Sequence, residues 1–385
     1  MAIKINEDKF SLKDKAYWWG SNLLGLIASI VLVGSMFVSL PFRKYRSITL
    51  RYIVRIISIC LIVCILVGFY LYYIPHQSPD FGDKTKYIVV NRGETVYDIS
   101  YKLYKIGAIS SEFNFVLFSK IFGHSRKLKT GRYAIEPNAS FADIFEILTT
   151  GSAIPYNVTI QEGLTVEKTA ELLSGKLLFN KDDFIKACGS RTLLDSLSIP
   201  TDDLEGYLFP DTYNFFYDES PRQVVNKMLN HFFASIPDSF EAKAKRHGLD
   251  IYEAVIMASL IESEAMIDSE RPMISAVYHK RLKIGMRLQC DPTVIYALGG
   301  LNRPLYRRDL KLDSPYNTYK YYGLPPGPIC SPGKASLEAA VNPAAGDYLY
   351  FVAKGDGSHV FSKSNRDHIN AKNRIKRAKK LGLKL

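Results

Sequence analysis

The chain has 385 residues and a formal net charge of +12, from 50 lysines and arginines against 38 aspartates and glutamates. That length holds two or three domains, and the hydrophobic share of 47% is that of a globular protein. The surplus of positive charge does not point to nucleic acid, because no basic stripe with interleaved aromatics accompanies it.

The apolar content is unevenly spread. Asn22–Leu40 carries no charge, and Tyr52–Ile74 carries only Arg55. Each is close to the roughly 20 residues that cross a bilayer as a helix. The flanks of the first run, Tyr17-Trp18-Trp19 and Pro41-Phe42-Arg43, do not suit a cleaved leader. Residues 1–75 therefore read as a membrane anchor with two candidate helices, 22–40 and 52–74. The loop Pro41–Arg51 holds Arg43, Lys44, Arg46 and Arg51 and no acid, so the positive-inside tendency places it in the cytoplasm. Everything after about residue 75 is then exported.

Residues 76–86 are polar, with Pro79 and Gly82, and read as a linker. Tyr87–Val90 is a β-type run, Val96–Tyr104 and Glu112–Phe122 are helical, and Gly131–Ile135 is a second strand. This strand–helix–helix–strand order, entered through Gly93-Glu94-Thr95-Val96-Tyr97-Asp98-Ile99-Ser100, resembles a LysM domain, a glycan-binding module. Residues 87–155 are assigned to it. Ser140 opens a further helix, with Asp143 placed for a capping box and Gly151 after the last turn. A strand at Asn157–Ile160 follows. Helices are expected after the cap Thr165 (Val166–Leu173), over Lys181–Cys188 and over Pro221–Ala234. The fold class is α+β, with N-terminal membrane helices, the small LysM-like subdomain and a mixed catalytic domain at 156–370.

The run Asp250–Ala265 is apolar on most sides and reads as a buried helix. It carries Glu262 and Glu264. Burial in such surroundings disfavours a charged carboxylate, which is how proteins keep a proton donor near neutral pH. The helical wheel does not choose between the two acids. A buried glutamate paired to an arginine or to backbone donors is the plainer alternative. Downstream lies a polar, rigid cluster. Gln289, Asn317 and Thr318 both donate and accept hydrogen bonds. Tyr316, Tyr319, Tyr321 and Tyr322 offer flat faces for a sugar ring, and Pro292, Pro315, Pro325 and Pro326 stiffen the loops. An extended glycan fits such a cleft.

The five cysteines have no metal-like spacing, and neither a metal nor a cofactor is expected. Cys290 and Cys330 both flank the polar cluster, but no disulfide is predicted. The last segment, 371–385, is a basic tail suited either to an anionic surface or to nothing more than a solvated helix end.

A set of ordered motifs covers roughly residues 84–370. They are Leu204-Glu205-Gly206-Tyr207-Leu208-Phe209-Pro210-Asp211-Thr212-Tyr213, Ala258-Ser259-Leu260-Ile261-Glu262-Ser263-Glu264 and Gly285-Met286-Arg287-Leu288-Gln289 with Asp291-Pro292-Thr293-Val294. Tyr316-Asn317-Thr318-Tyr319, Gly323-Leu324-Pro325-Pro326, Ser331-Pro332-Gly333, Asn342-Pro343, Tyr348–Val352 and Gly357-Ser358-His359 follow. In these the chain resembles the YceG-like family of membrane-anchored endolytic murein transglycosylases. Two departures stand out: Lys280-Arg281-Leu282 replaces a common Asn-Arg-Leu, and a second candidate membrane helix precedes the usual one.

The resemblance implies a lytic transglycosylase at the bacterial inner membrane. Its catalytic domain would lie on the extracytoplasmic side, cutting the MurNAc-GlcNAc bond of nascent peptidoglycan strands to leave 1,6-anhydro ends. It places the catalytic acid on the first glutamate of its motif, Glu262. Gln289, Asp291, Thr293, Tyr316, Asn317 and Tyr319 are the expected substrate-binding residues. Glycan strands, the membrane and a peptidoglycan synthase complex are the implied partners, and nucleic acid is not. Two rival readings are a hydrolytic muramidase and a wall-binding scaffold without catalysis.

Overall fold

The computed structural model describes residues 48–77, 84–123, 127–151 and 153–381. The first apolar run, Asn22–Leu40, lies outside the described residues, as does most of the loop after it. The chain divides into two compact units at Pro155–Tyr156.

In the first unit, helix α1 (Ile48–Tyr73) leads into a single 3-10 turn, Ile74–His76. Among the described residues, Ile56–His76 is the one helical stretch long and apolar enough to cross a membrane. Its side chains Ile56, Ile59, Ile62, Leu66 and Phe69 are exposed. At its end the character changes. Ile74 and Pro75 are buried against the unit's core, and the carbonyl of Gln77 accepts the Phe141 N–H at 3.1 Å.

Strand β1 (Lys86–Val90) pairs antiparallel with β2 (Gly131–Ile135), Ile88 opposite Tyr133. Alternate residues turn inward, as the pleat requires. Between them run α2 (Val96–Lys105) and α3 (Glu112–Ile121), and α4 (Phe141–Thr150) follows. The expected order is thus observed. Thr95 and Ser140 close capping boxes with Asp98 and Asp143, and Gly151 ends α4 at φ 81°. Phe115 stacks on Phe145 at 4.2 Å in the core.

The second unit is built around α10, and its elements in chain order lead there. Strand β3 (Tyr156–Thr159) pairs antiparallel with β4 (Thr212–Phe215). Helices α5 (Val166–Ser174), α6 (Lys181–Cys188) and α7 (Arg191–Ser196) lie between them in sequence. After β4 come α8 (Pro221–Ser235), α9 (Phe240–Arg246) and α10 (Ile251–Glu264).

Helix α10 has no polar face over its middle: every residue from Ala254 to Ile261 is buried. Asp250 and Glu253 close a capping box at its start, and extended backbone at Ala265 ends it. It packs on α11 (Arg271–Lys283) and α13 (Lys334–Val341), with the short α12 (Asp291–Ala297) near its end. Completely surrounded helices of this kind are core helices. Gly206 approaches it closely, since a Cβ there would lie 2.5 Å from Pro328 and 3.1 Å from Val255.

Two further elements complete the unit. The hairpin of β5 (Tyr350–Ala353) and β6 (His359–Ser362) pairs Ala353 with His359. Helix α14 (Asn365–Lys380) takes up most of the segment expected as a basic tail, with Ala371, Ile375 and Ala378 buried along one face.

Candidate active site

The C-terminal turn of α10 presents its two glutamates to different surroundings. Residues two apart on a helix point about 200° from one another, so one fold treats them differently. Glu262 is held between two donors. Arg271 Nη1 lies 3.1 Å from Oε1, and the Gly333 N–H lies 2.9 Å from Oε2. Both side chains of the ion pair are buried, 7% and 6% exposed. Arg271 also binds Asp268 at 2.9 Å, donates to Ser336 and approaches Glu162 at 3.9 Å. This is the arginine-paired geometry weighed above as the plainer alternative for a buried glutamate.

Glu264 lines a cavity of about 500 Å³ that also takes in Gln289, Asp291, Tyr319, Tyr350, His359 and His368; Glu262 is not among its lining residues. Tyr278 Oη donates to Glu264 Oε1 at 3.1 Å. Burial pushes the Glu264 carboxyl above the ordinary carboxylate range, and nearby Asp291 adds to the shift; hydrogen bonds and His359 oppose it. A carboxylic acid that keeps its proton above the usual range, facing a polar cavity, is equipped to donate it.

The expected substrate-binding residues separate into two groups. Gln289, Asp291 and Tyr319 line the Glu264 cavity, and the Tyr319 hydroxyl donates to Asp291. Gln289 sits at φ 51°, a left-handed backbone that non-glycine residues seldom adopt. Such strain is characteristic of functional loops. Tyr316 lines an adjoining cavity of about 690 Å³, tilted against Tyr296 at 5.1 Å. Ser263 and Pro292 line that second cavity, while their chain neighbours Glu264 and Asp291 line the first.

Asn317 and Thr293 are different. Both are fully buried. Asn317 gives its amide to the carbonyls of Leu310 and Leu312 and accepts from the Tyr319 N–H. Thr293 donates to the Cys290 carbonyl at 2.7 Å and meets Thr318 at 3.0 Å. Their polar groups are engaged within the loop under Tyr319.

A larger cavity, about 920 Å³, lies at the other end of α10 beside Pro325 and Pro326. Its acids Asp250 and Glu253 are engaged in the capping box. Cys290 and Cys330 are buried free thiols. Among the described residues no group of side chains is arranged to hold a metal ion.

Sequence reasoning passed over Arg271, Tyr278, Glu270 and His359. Arg271 is nine residues from Glu262 and Tyr278 fourteen from Glu264, beyond any local pattern. His359 appeared only inside a motif.

A buried helix end whose carboxyl is shifted toward the protonated form, over a cavity walled by tyrosine and amide groups, suits acid–base chemistry. The chain belongs to the YceG-like family, whose sequence pattern matches residues 88–374. It is 33% identical over 325 residues to the endolytic murein transglycosylase of Bacillus subtilis, covering 80% of this chain and 90% of that one. It is 28% identical over 344 residues to the protein of the same name from Streptococcus pneumoniae, where the match spans 79% of this chain and 62% of the relative. The crystal structure of a yceG-like protein from Listeria monocytogenes superposes with a TM-score of 0.55 at 32% identity, over 75% of this chain and 99% of that one.

Proposed function

We propose that this chain is a lytic transglycosylase that cuts peptidoglycan strands internally, with Glu264 as its proton donor. The observation that carries the reading is the placement of Glu264 at the cavity with its carboxyl biased toward the protonated form. Glu264 gives its proton to the glycosidic oxygen between N-acetylmuramic acid and N-acetylglucosamine. The C1–O bond breaks, and the muramoyl C6 oxygen bonds to C1. The C6 hydroxyl proton returns to the carboxylate, leaving a 1,6-anhydro end. No water is consumed, so the second carboxylate of a hydrolytic glycosidase is not needed. Gln289, Asp291 and Tyr319 position the sugar at the cut, and Tyr316 supports the neighbouring one.

The second reading assigns the acid to Glu262, supported by the motif resemblance. Paired substitutions separate the two. Glu264→Gln lowers strand cleavage by about 10²–10⁴-fold, the range of a positioned acid, while Glu262→Gln retains most of it. Cleavage by the Glu264 variant together with loss in the Glu262 variant reverses the assignment. Mass spectrometry of the new ends tests the reaction class, because hydrolysis by a muramidase adds one water. Retention on insoluble peptidoglycan without any cleavage marks a wall-binding scaffold instead.

The remaining organisation follows the same reading. Residues 1–75 anchor the chain in the bacterial inner membrane, with the basic loop at 41–51 cytoplasmic and the catalytic domain outside. The unit at 87–155 is a LysM-like module for glycan. Tethering keeps the cut near the bilayer, where new strands emerge, so that cleavage terminates elongation beside a synthase complex.

A further inference from the structure

The cavity that Glu264 lines is also lined by His359, the first residue of β6. Glu270, in the 3-10 turn before α11, grips this histidine twice. Its Oε1 accepts the His359 backbone N–H at 3.0 Å, and its Oε2 meets ring Nδ1 at 2.7 Å. Both side chains are largely buried, 6% and 14% exposed. Phe351 lies edge-on to the ring at 5.4 Å. A carboxylate only accepts hydrogen bonds, so the ring donates to Glu270 from Nδ1, and Nε2 is the nitrogen left to exchange a proton. Among the described residues Nε2 has no hydrogen-bond partner.

We infer that His359, oriented by Glu270, is a second catalytic residue and the base that takes the C6 hydroxyl proton. The inference rests on the reading that strands are cut at the Glu264 cavity. Its chemical basis is timing. When the glycosidic bond breaks, the donor must hold a proton, and at the same moment the attacking hydroxyl must lose one. A second group beside Glu264 lets the two transfers fall together, with the proton relayed back to the carboxylate afterwards. Glu264 protonates the leaving oxygen, C1–O breaks, O6 bonds to C1, and the O6 proton passes to Nε2. The cycle ends with a carboxylate and an imidazolium, and transfer of that proton from Nε2 to Glu264 restores both groups. Glu270 is the positioning residue, since it selects the tautomer.

The test uses the full chain in detergent on isolated glycan strands, with thermal melting to verify folding. His359→Gln is expected to lower kcat by about 10²–10³-fold with KM little changed. Glu270→Gln is expected to give a smaller loss in the same direction. His359→Ala is expected to regain at least about tenfold when imidazole is added, a recovery that a merely structural residue would not show. A kcat for His359→Gln within about threefold of wild type overturns the inference. So does a folded but inactive His359→Ala that ignores imidazole. Glu264→Gln is measured alongside. If it cuts strands, the reading of the cavity has failed; if it is inactive while His359→Gln is active, only the histidine's role has.

Discussion

Replacing Glu205 by Gln is expected to flatten the pH dependence of stability. Glu205 is a buried acid of the second unit, with both carboxyl oxygens 3.2 Å from the Val166 N–H and Tyr296 Oη at 3.4 Å. Burial, reinforced by nearby Asp203, pushes its carboxyl from 4.5 up to about 8. Between those values the folded chain holds a proton that the unfolded chain has released. Stability from this group is therefore full below about pH 4.5 and is lost as pH rises through about 8. Three pH units at about 1.4 kcal/mol each give a ceiling of about 4 kcal/mol between pH 5 and pH 8. The glutamine amide oxygen accepts the same backbone hydrogen bond and does not titrate. Glu264 titrates in both chains and cancels from the comparison. Urea unfolding in detergent at pH 5 and pH 8 should cost the wild type at least about 1–2 kcal/mol more than the variant. Parallel pH profiles would refute the reasoning.

Two further substitutions probe the end of α10. Tyr278→Phe removes a hydrogen bond that favours the charged form of Glu264, so the alkaline limb of the cleavage-rate profile should move to higher pH; an unmoved limb would mean Glu264 does not set it. Arg271→Ala leaves Glu262 buried without its cation and should destabilise the chain by about 3–5 kcal/mol in urea. Adding Glu262→Gln should return part of that, and no recovery in the double variant would show that the pair is not the cause.

The course of the chain was legible where local chemistry sets it. Ser140 with Asp143, Gly151 and the strand–helix–helix–strand order are short-range patterns, and they are found where the residues predicted them. The run from Ala254 to Ile261, apolar but for Ser259, likewise announced a surrounded helix. The choice between Glu262 and Glu264 was of another kind. Helical spacing says that they point apart, but which direction opens on a cavity depends on Arg271, Gly333 and the β5–β6 hairpin, all distant in sequence. For the same reason the sequence did not say how Asn317 and Thr293 are held. Residue type told that they would be hydrogen-bonded, but not that Leu310, Leu312 and Cys290 would use those bonds.

The join between α1 and the first unit has a mechanical meaning. A spacer was expected from residue 76, yet the turn before it is already part of the folded core: Ile74 and Pro75 are buried, and Gln77 is bonded to Phe141. The Tyr70 hydroxyl also donates to Asn114 on α3. The apolar helix is therefore a stalk continuous with the β1–β2 unit and not a leash. Tilting or twisting it turns that unit as well, and lengthening the chain at residues 76–77 would trade a fixed bearing for a swivel.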